Sequence, residues 1–178
     1  MNIKPIAAAL ALSLVPTAAA YAFLSGTNNR IVYHVETDPI TDENLGVVIV
    51  REINDTSGDT HVRFQCEDGA PEFYLVNKNL LLTQEDFDNE VMPTLIYRVD
   101  SQNPKSLPTS TVVDADTEEP DLMTLSVAGN TDATMFTAFK NAQSKIVIRV
   151  MRRGMSELTF TFATKGFNQA MKLVNSCA

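Results

Sequence analysis

The sequence predicts a mainly β, β-rich α+β domain, an antiparallel β-sandwich or open barrel with two helices packed on it. Three observations carry this. Short apolar segments recur along the chain, separated by clusters of Gly, Pro, Asn and Asp. Several alternate with a period of two. Apolar residues take helical spacing in only two stretches, one after Gly129 and one at the C-terminal end.

Ile31-Val32-Tyr33-His34-Val35 is β-branched and aromatic, and Asp38-Pro39 stops it because proline restricts its neighbour and donates no hydrogen bond. Leu45 to Ile53 is dense in valine and isoleucine and ends in the turn cluster Asn54–Asp59. His61–Cys66 alternates, with Val62, Phe64 and Cys66 on one face and His61, Arg63 and Gln65 on the other. A loop of five residues, Glu67–Pro71, is expected to join it to Phe73–Val76 as a hairpin. Asn77–Asn89 mixes leucines with acids and reads as a connection containing a short helical turn. Leu95, Tyr97 and Val99 then point inward from the next strand.

Ser101–Pro120 carries three prolines among Ser, Thr and acids, and it reads as a surface loop with a short edge strand at Thr111–Val113. Leu122–Ala128 returns to strand. Met135, Phe136, Phe139 and Ala142 fall on one helical face, with Thr131 or Asp132 as the cap. Lys145–Val150 and Glu157–Thr164 are expected to form a hairpin across Arg152-Arg153-Gly154. Phe167, Ala170, Met171, Val174 and Cys177 make the apolar stripe of a final helix.

The N-terminus has the layout of a secretory signal. Met1–Lys4 is a short basic region, and Ile6–Ala20 is an apolar run too short to span a bilayer comfortably. Ala18/Ala20 and Ala20/Ala22 both offer small residues to a signal peptidase. Residues 1–22 therefore read as a secretory signal and 23–178 as one domain, opening with a polar tail at Phe23–Asn29. The expected location is periplasmic or secreted. The whole chain carries 14 basic and 22 acidic residues, and the leader removes only Lys4 from that balance. No basic stripe exists to displace counterions, so nucleic acid is not an expected partner.

An exported chain with two cysteines more often pairs them than leaves both free. Cys66 and Cys177 both sit on core-facing positions. A bridge closing that loop of about 110 residues would stabilise by about 4–5 kcal/mol in the chain-entropy model. Two separately buried thiols are the alternative.

No constellation of chemistry-bearing residues stands out. His34 and His61, the two histidines, read as solvent-facing strand residues. HExxH, GxSxG and phosphate-cradling glycine loops are absent, and no catalytic residue, cofactor or metal is expected. Asp114-x-Asp116-x-Glu118 resembles the start of a calcium loop but lacks its glycine and its later bidentate acid. Asp114, Asp116, Glu118 and Glu119 are instead the expected partner-facing acids. Arg98 and Asp100 share a strand face and are expected to pair.

Several segments follow one another in a recognisable order. These are Glu36–Asp42, Val62–Cys66, Tyr97–Asp100, Lys145–Val150, and Leu158–Phe162 leading to a last helix with Cys177. This order resembles the exported VasI-like (TagO-like) accessory proteins associated with bacterial type VI secretion, over most of the chain. The resemblance implies a periplasmic, non-enzymatic accessory protein with a cysteine bridge and a protein partner in the envelope. A secreted inhibitor of a lysozyme-type or other envelope hydrolase is the alternative, the acidic loop plugging a basic cleft.

Overall fold

The computed structural model describes residues 21–174 apart from 43, 68, 115–116 and 130. The strands are β1 (Ala22–Phe23), β2 (Ile31–His34), β3 (Val47–Arg51), β4 (His61–Glu67), β5 (Ala70–Val76), β6 (Thr94–Val99), β7 (Lys105–Val113), β8 (Pro120–Val127), β9 (Lys145–Met151) and β10 (Leu158–Ala163). The helices are α1 (Gln84–Asp88), α2 (Asp132–Asn141) and α3 (Phe167–Val174).

The strands form one antiparallel sheet in the order β1-β2-β3-β4-β5-β8-β7-β6-β9-β10. Its far end comes back on itself. Just beyond β3, Glu52 bridges Phe162 of β10, and the Ile53 amide donates to the Thr161 carbonyl at 3.0 Å. The sandwich and the open barrel expected from the sequence meet in this shape, a curled sheet whose last strand meets the end of β3 at one corner.

Period-two alternation fills the inside. Val48 and Val50, Val62 and Phe64, Phe73 and Leu75, Ile146 and Ile148 all have relative exposures of 1% or less. Phe64 is the hub, its ring 4.9 Å from both Phe139 of α2 and Phe167 of α3, and 5.5 Å from Phe73. The helices thus supply the aromatic cover that the curled sheet lacks, and burying such rings is the largest stabilising contribution here. Gly46, at the foot of β3, lets α3 approach. A Cβ there would lie 2.9 Å from the Val174 side chain, and Asn44 Nδ2 donates to the Val174 carbonyl at 2.7 Å.

Three sequence expectations are corrected. Residues 23–29 are not a tail: Ala22 and Phe23 pair with Tyr33 and Val32, and Leu24 is a core residue at 5% exposure. The β4–β5 connection is not five residues long, since pairing runs to Glu67↔Ala70 and leaves only the Asp68-Gly69 dipeptide between them. Asp-Gly suits such a tight turn because it tolerates positive φ, here 76° at Gly69.

Thr111–Val113 is strand as expected, but the strand is neither short nor at an edge. It is part of β7, which takes up nine residues of Ser101–Pro120 and is central in the sheet. Residues Lys105–Pro108 pair with β6 and Thr109–Val113 with β8, so Pro108 stands where the strand changes neighbours. Thr131 is the N-cap of α2, one of the two caps expected, although neither side chain makes a cap hydrogen bond. The Thr131 hydroxyl donates back to the Ala128 carbonyl, and the Asp132 carboxylate accepts from the Phe73 amide of β5 at 2.9 Å. Burial raises the Asp132 pKa against that hydrogen bond.

Candidate functional site

A hollow of about 420 Å³ lies between α2 and the strands β6 and β7. Alternation along β6 aims Tyr97 inward with Leu95 and Val99. Helix α2 gives its bulky residues Met135, Phe136 and Phe139 to the core. Toward β6 it turns Ala133, Thr134, Thr137 and Ala138, and these small side chains leave the space open.

Tyr97 is only 3% exposed, yet its hydroxyl makes no hydrogen bond to any described residue. Burial raises the Tyr97 pKa, so the group stays a neutral donor at physiological pH. At the rim stand Gln102, Asn141 and Lys105, and the Lys105 ammonium has no ion-pair partner among the described residues. The site therefore offers an apolar floor, several uncharged donors and one cation, a combination that suits a small ligand with an apolar body and a negatively charged end.

The acids expected to face a partner occupy the tip of the β7–β8 hairpin. Asp114 Oδ1 accepts from the Thr117 amide at 2.8 Å and from its hydroxyl at 3.0 Å. The Asp114 amide donates to the Glu119 carbonyl, and the Glu118 amide donates to the Asp114 carbonyl, both at 2.9 Å. Asp114 is thus spent on shaping the turn, while Glu118 and Glu119 are exposed. Asp116 lies outside the described residues. Among the described residues no group of three His, Cys, Asp or Glu is placed to hold a metal ion.

Cys66 is 8% exposed on the core side of β4, as its alternation predicts, and is not a free thiol. Cys177 lies outside the described residues. Neither histidine faces solvent as expected. The side chain of His34 is 11% exposed, with the Tyr21 ring 5.1 Å away and Glu36 Oε2 2.8 Å from Nε2. His61 is half-buried with Nδ1 3.2 Å from the Gly58 carbonyl, and burial, aided by Arg63 and Arg51, lowers its pKa.

Arg98 does not pair with Asp100. Asp100 has a φ of 49°, which swings its carboxylate onto the amides of Gln143, Ser144 and Lys145 and onto the Ser144 hydroxyl. The Lys145 amide, above all, holds its pKa well below the usual carboxylate range. Arg98 faces the other way, beside Ile96, Pro104, Val147 and Arg149 around a second hollow of about 420 Å³ on the outer wall.

Sequence reading missed the α2 hollow because Tyr97 sits on an ordinary strand, and Thr134 and Thr137 look like the solvent side of a helix. No protein-family model matches the chain, and no curated protein or solved structure is significantly similar to it. No helix among the described residues is long and apolar enough to cross a membrane.

Proposed function

We propose that this chain is an exported, non-enzymatic binding protein of the bacterial envelope that holds a small organic anion in the hollow beneath α2. The observation that carries the reading is the hollow itself, lined by Tyr97, whose hydroxyl makes no hydrogen bond to a described residue, and by Lys105, which has no ion-pair partner among the described residues. The ligand's charged end would lie toward Lys105 and its apolar body over Val99 and Ala138. The leader-like N-terminus and the order of motifs support an accessory role in an envelope process, with type VI secretion as the system the resemblance suggests. A Cys66–Cys177 bridge belongs to this reading. Alkylation of the native protein should then label neither thiol.

Hexanoate is a suitable probe, with hexanamide as its uncharged counterpart. In a backbone-amide NMR titration, hexanoate should give saturable shifts centred on residues 133–141, and hexanamide weaker ones. Tyr97→Phe should weaken hexanoate about tenfold, the usual loss for a hydrogen bond to a charged group. Shifts that are scattered, unsaturable or indifferent to Tyr97→Phe would remove the hollow as a ligand site.

A second reading, an inhibitor of a lysozyme-type hydrolase, is favoured by the exposed carboxylates at the β7–β8 tip. Neutralising Glu118 and Glu119 would abolish such inhibition and leave hexanoate binding intact.

A further inference from the structure

We propose that the hollow on the outer wall is a second binding site, which takes a small phosphate monoester. Arg98 and Arg149 would hold the phosphate, and Ile96, Val147 and Pro104 would cover the organic group. The site is separate from the α2 hollow and does not rest on the reading given for it.

The alternation that aims Tyr97 inward turns Ile96 and Arg98 outward on β6, and on β9 it turns Val147 and Arg149 the same way. In the ladder Ile96 is opposite Arg149, and Arg98 is opposite Val147. The two arginines are therefore diagonal neighbours across one pair of strands, a separation that long side chains can close. Ile96 and Val147, both half-buried, occupy the other diagonal, and Pro104 adds an apolar side just before β7. No acid is among the residues that line the hollow.

Two cations side by side on one sheet face repel. The chain has acids enough to pair them, 22 against 14 basic residues, yet the exposed Arg98 guanidinium makes no hydrogen bond or ion pair to a described residue. Arg149 is partly engaged. Its Nε donates to Thr159 Oγ1 at 3.3 Å, and Nη1 lies 3.3 Å from Glu157 Oε1. Nη2 has no described partner. The donors still open are thus the whole planar fork of Arg98 and one amino group of Arg149.

That set selects among anions. A carboxylate has two oxygens, and Arg98 alone satisfies both in a bidentate pair. A phosphate monoester has three terminal oxygens and carries close to two negative charges at neutral pH. Two of its oxygens fit the Arg98 fork and the third meets Arg149, while its charge balances both guanidiniums. The bridging oxygen then carries the organic group onto the apolar wall. A volume of about 420 Å³ has room for a group the size of one ring.

The test is a backbone-amide NMR titration of the full chain with phenyl phosphate at constant ionic strength. Saturable shifts centred on residues 96–98 and 147–149 are expected. Arg98→Gln should weaken binding about tenfold, the usual loss for a hydrogen bond to a charged group. Arg98→Lys should also weaken it, because lysine restores the charge and not the fork. Both variants alter an exposed side chain without a described partner, so the fold should be kept, and unchanged amide shifts elsewhere would verify that. An affinity indifferent to Arg98→Gln would overturn the site, as would scattered or unsaturable shifts. Shifts centred on residues 133–141 would overturn it too, by placing the probe beneath α2. Benzoate or inorganic phosphate binding as tightly as phenyl phosphate would overturn the monoester as its ligand. Saturating hexanoate should leave the affinity for phenyl phosphate unchanged, whether or not hexanoate itself binds, so the two hollows stand or fall separately.

Discussion

At the corner where the sheet closes, buried carboxylates are fully engaged; beneath α2, a phenol hydroxyl without a partner among the described residues lines an open hollow. Glu52 is 5% exposed, and its two carboxylate oxygens accept from the Asn54, Asp55 and Thr161 amides and from Asn54 Nδ2. Asp55, 7% exposed, accepts from the Ser57 amide and hydroxyl and from the Thr60 amide, with Lys78 Nζ 3.5 Å away. The Tyr97 hydroxyl accepts and donates nothing among the described residues. Buried polar atoms with complete partners hold a structure together, whereas a polar group that lines a hollow is open to something else. The first region is therefore architecture, and the second is the candidate site.

Breaking the corner should cost most. Glu52→Ala leaves three backbone amides without their acceptor and should destabilise by about 3–5 kcal/mol in urea unfolding. A loss below about 1 kcal/mol would show that the corner does not hold the sheet closed. Acid probes the same region more gently. The Ser57 hydroxyl, chiefly, holds the Asp55 pKa well below the carboxylate range in the folded protein. The unfolded chain therefore takes up this proton first. The contribution of Asp55 is complete above about pH 4 and is lost progressively as the pH falls further toward the folded value. Asp55→Asn should flatten the stability-against-pH curve below pH 4, and an unchanged slope would remove Asp55 from the acid response. The smallest effect belongs to the hollow. Tyr97→Phe removes no protein hydrogen bond, so its melting temperature should stay within a few degrees of the parent while hexanoate binding falls.

The residues legible in the sequence were those whose environment repeats with the backbone. Val62, Phe64 and Cys66, or Leu158, Phe160 and Phe162, show their faces by alternation alone. Beyond Thr111–Val113, β7 was not legible because it is held by hydrogen bonds to β6 and β8 and buries little of its own. Thr109 is its one residue in the fully buried class, and its hydroxyl donates to the Pro93 carbonyl at 2.6 Å. Lys105, Ser106, Pro108 and Ser110 carry no apolar period, so polarity and proline outweighed a placement set by tertiary context. Asp100 misled for a related reason. Its partners lie more than forty positions along the chain, and a positive φ, which no face count includes, turns the carboxylate toward them. The hollow beneath α2 left a weaker signal still, since it depends on what Ala133, Thr134 and Ala138 leave unfilled.

The seam between Glu52 and Thr161 joins residues 109 apart. As the chain emerges, the end of β3 must wait for nearly all of the remaining sequence before its last neighbour arrives. Contacts of such long sequence separation slow folding into the millisecond-to-second range. During that interval an unpaired ladder is open to strangers. Folding yield should therefore depend on how crowded the compartment is while the final hairpin is still being delivered.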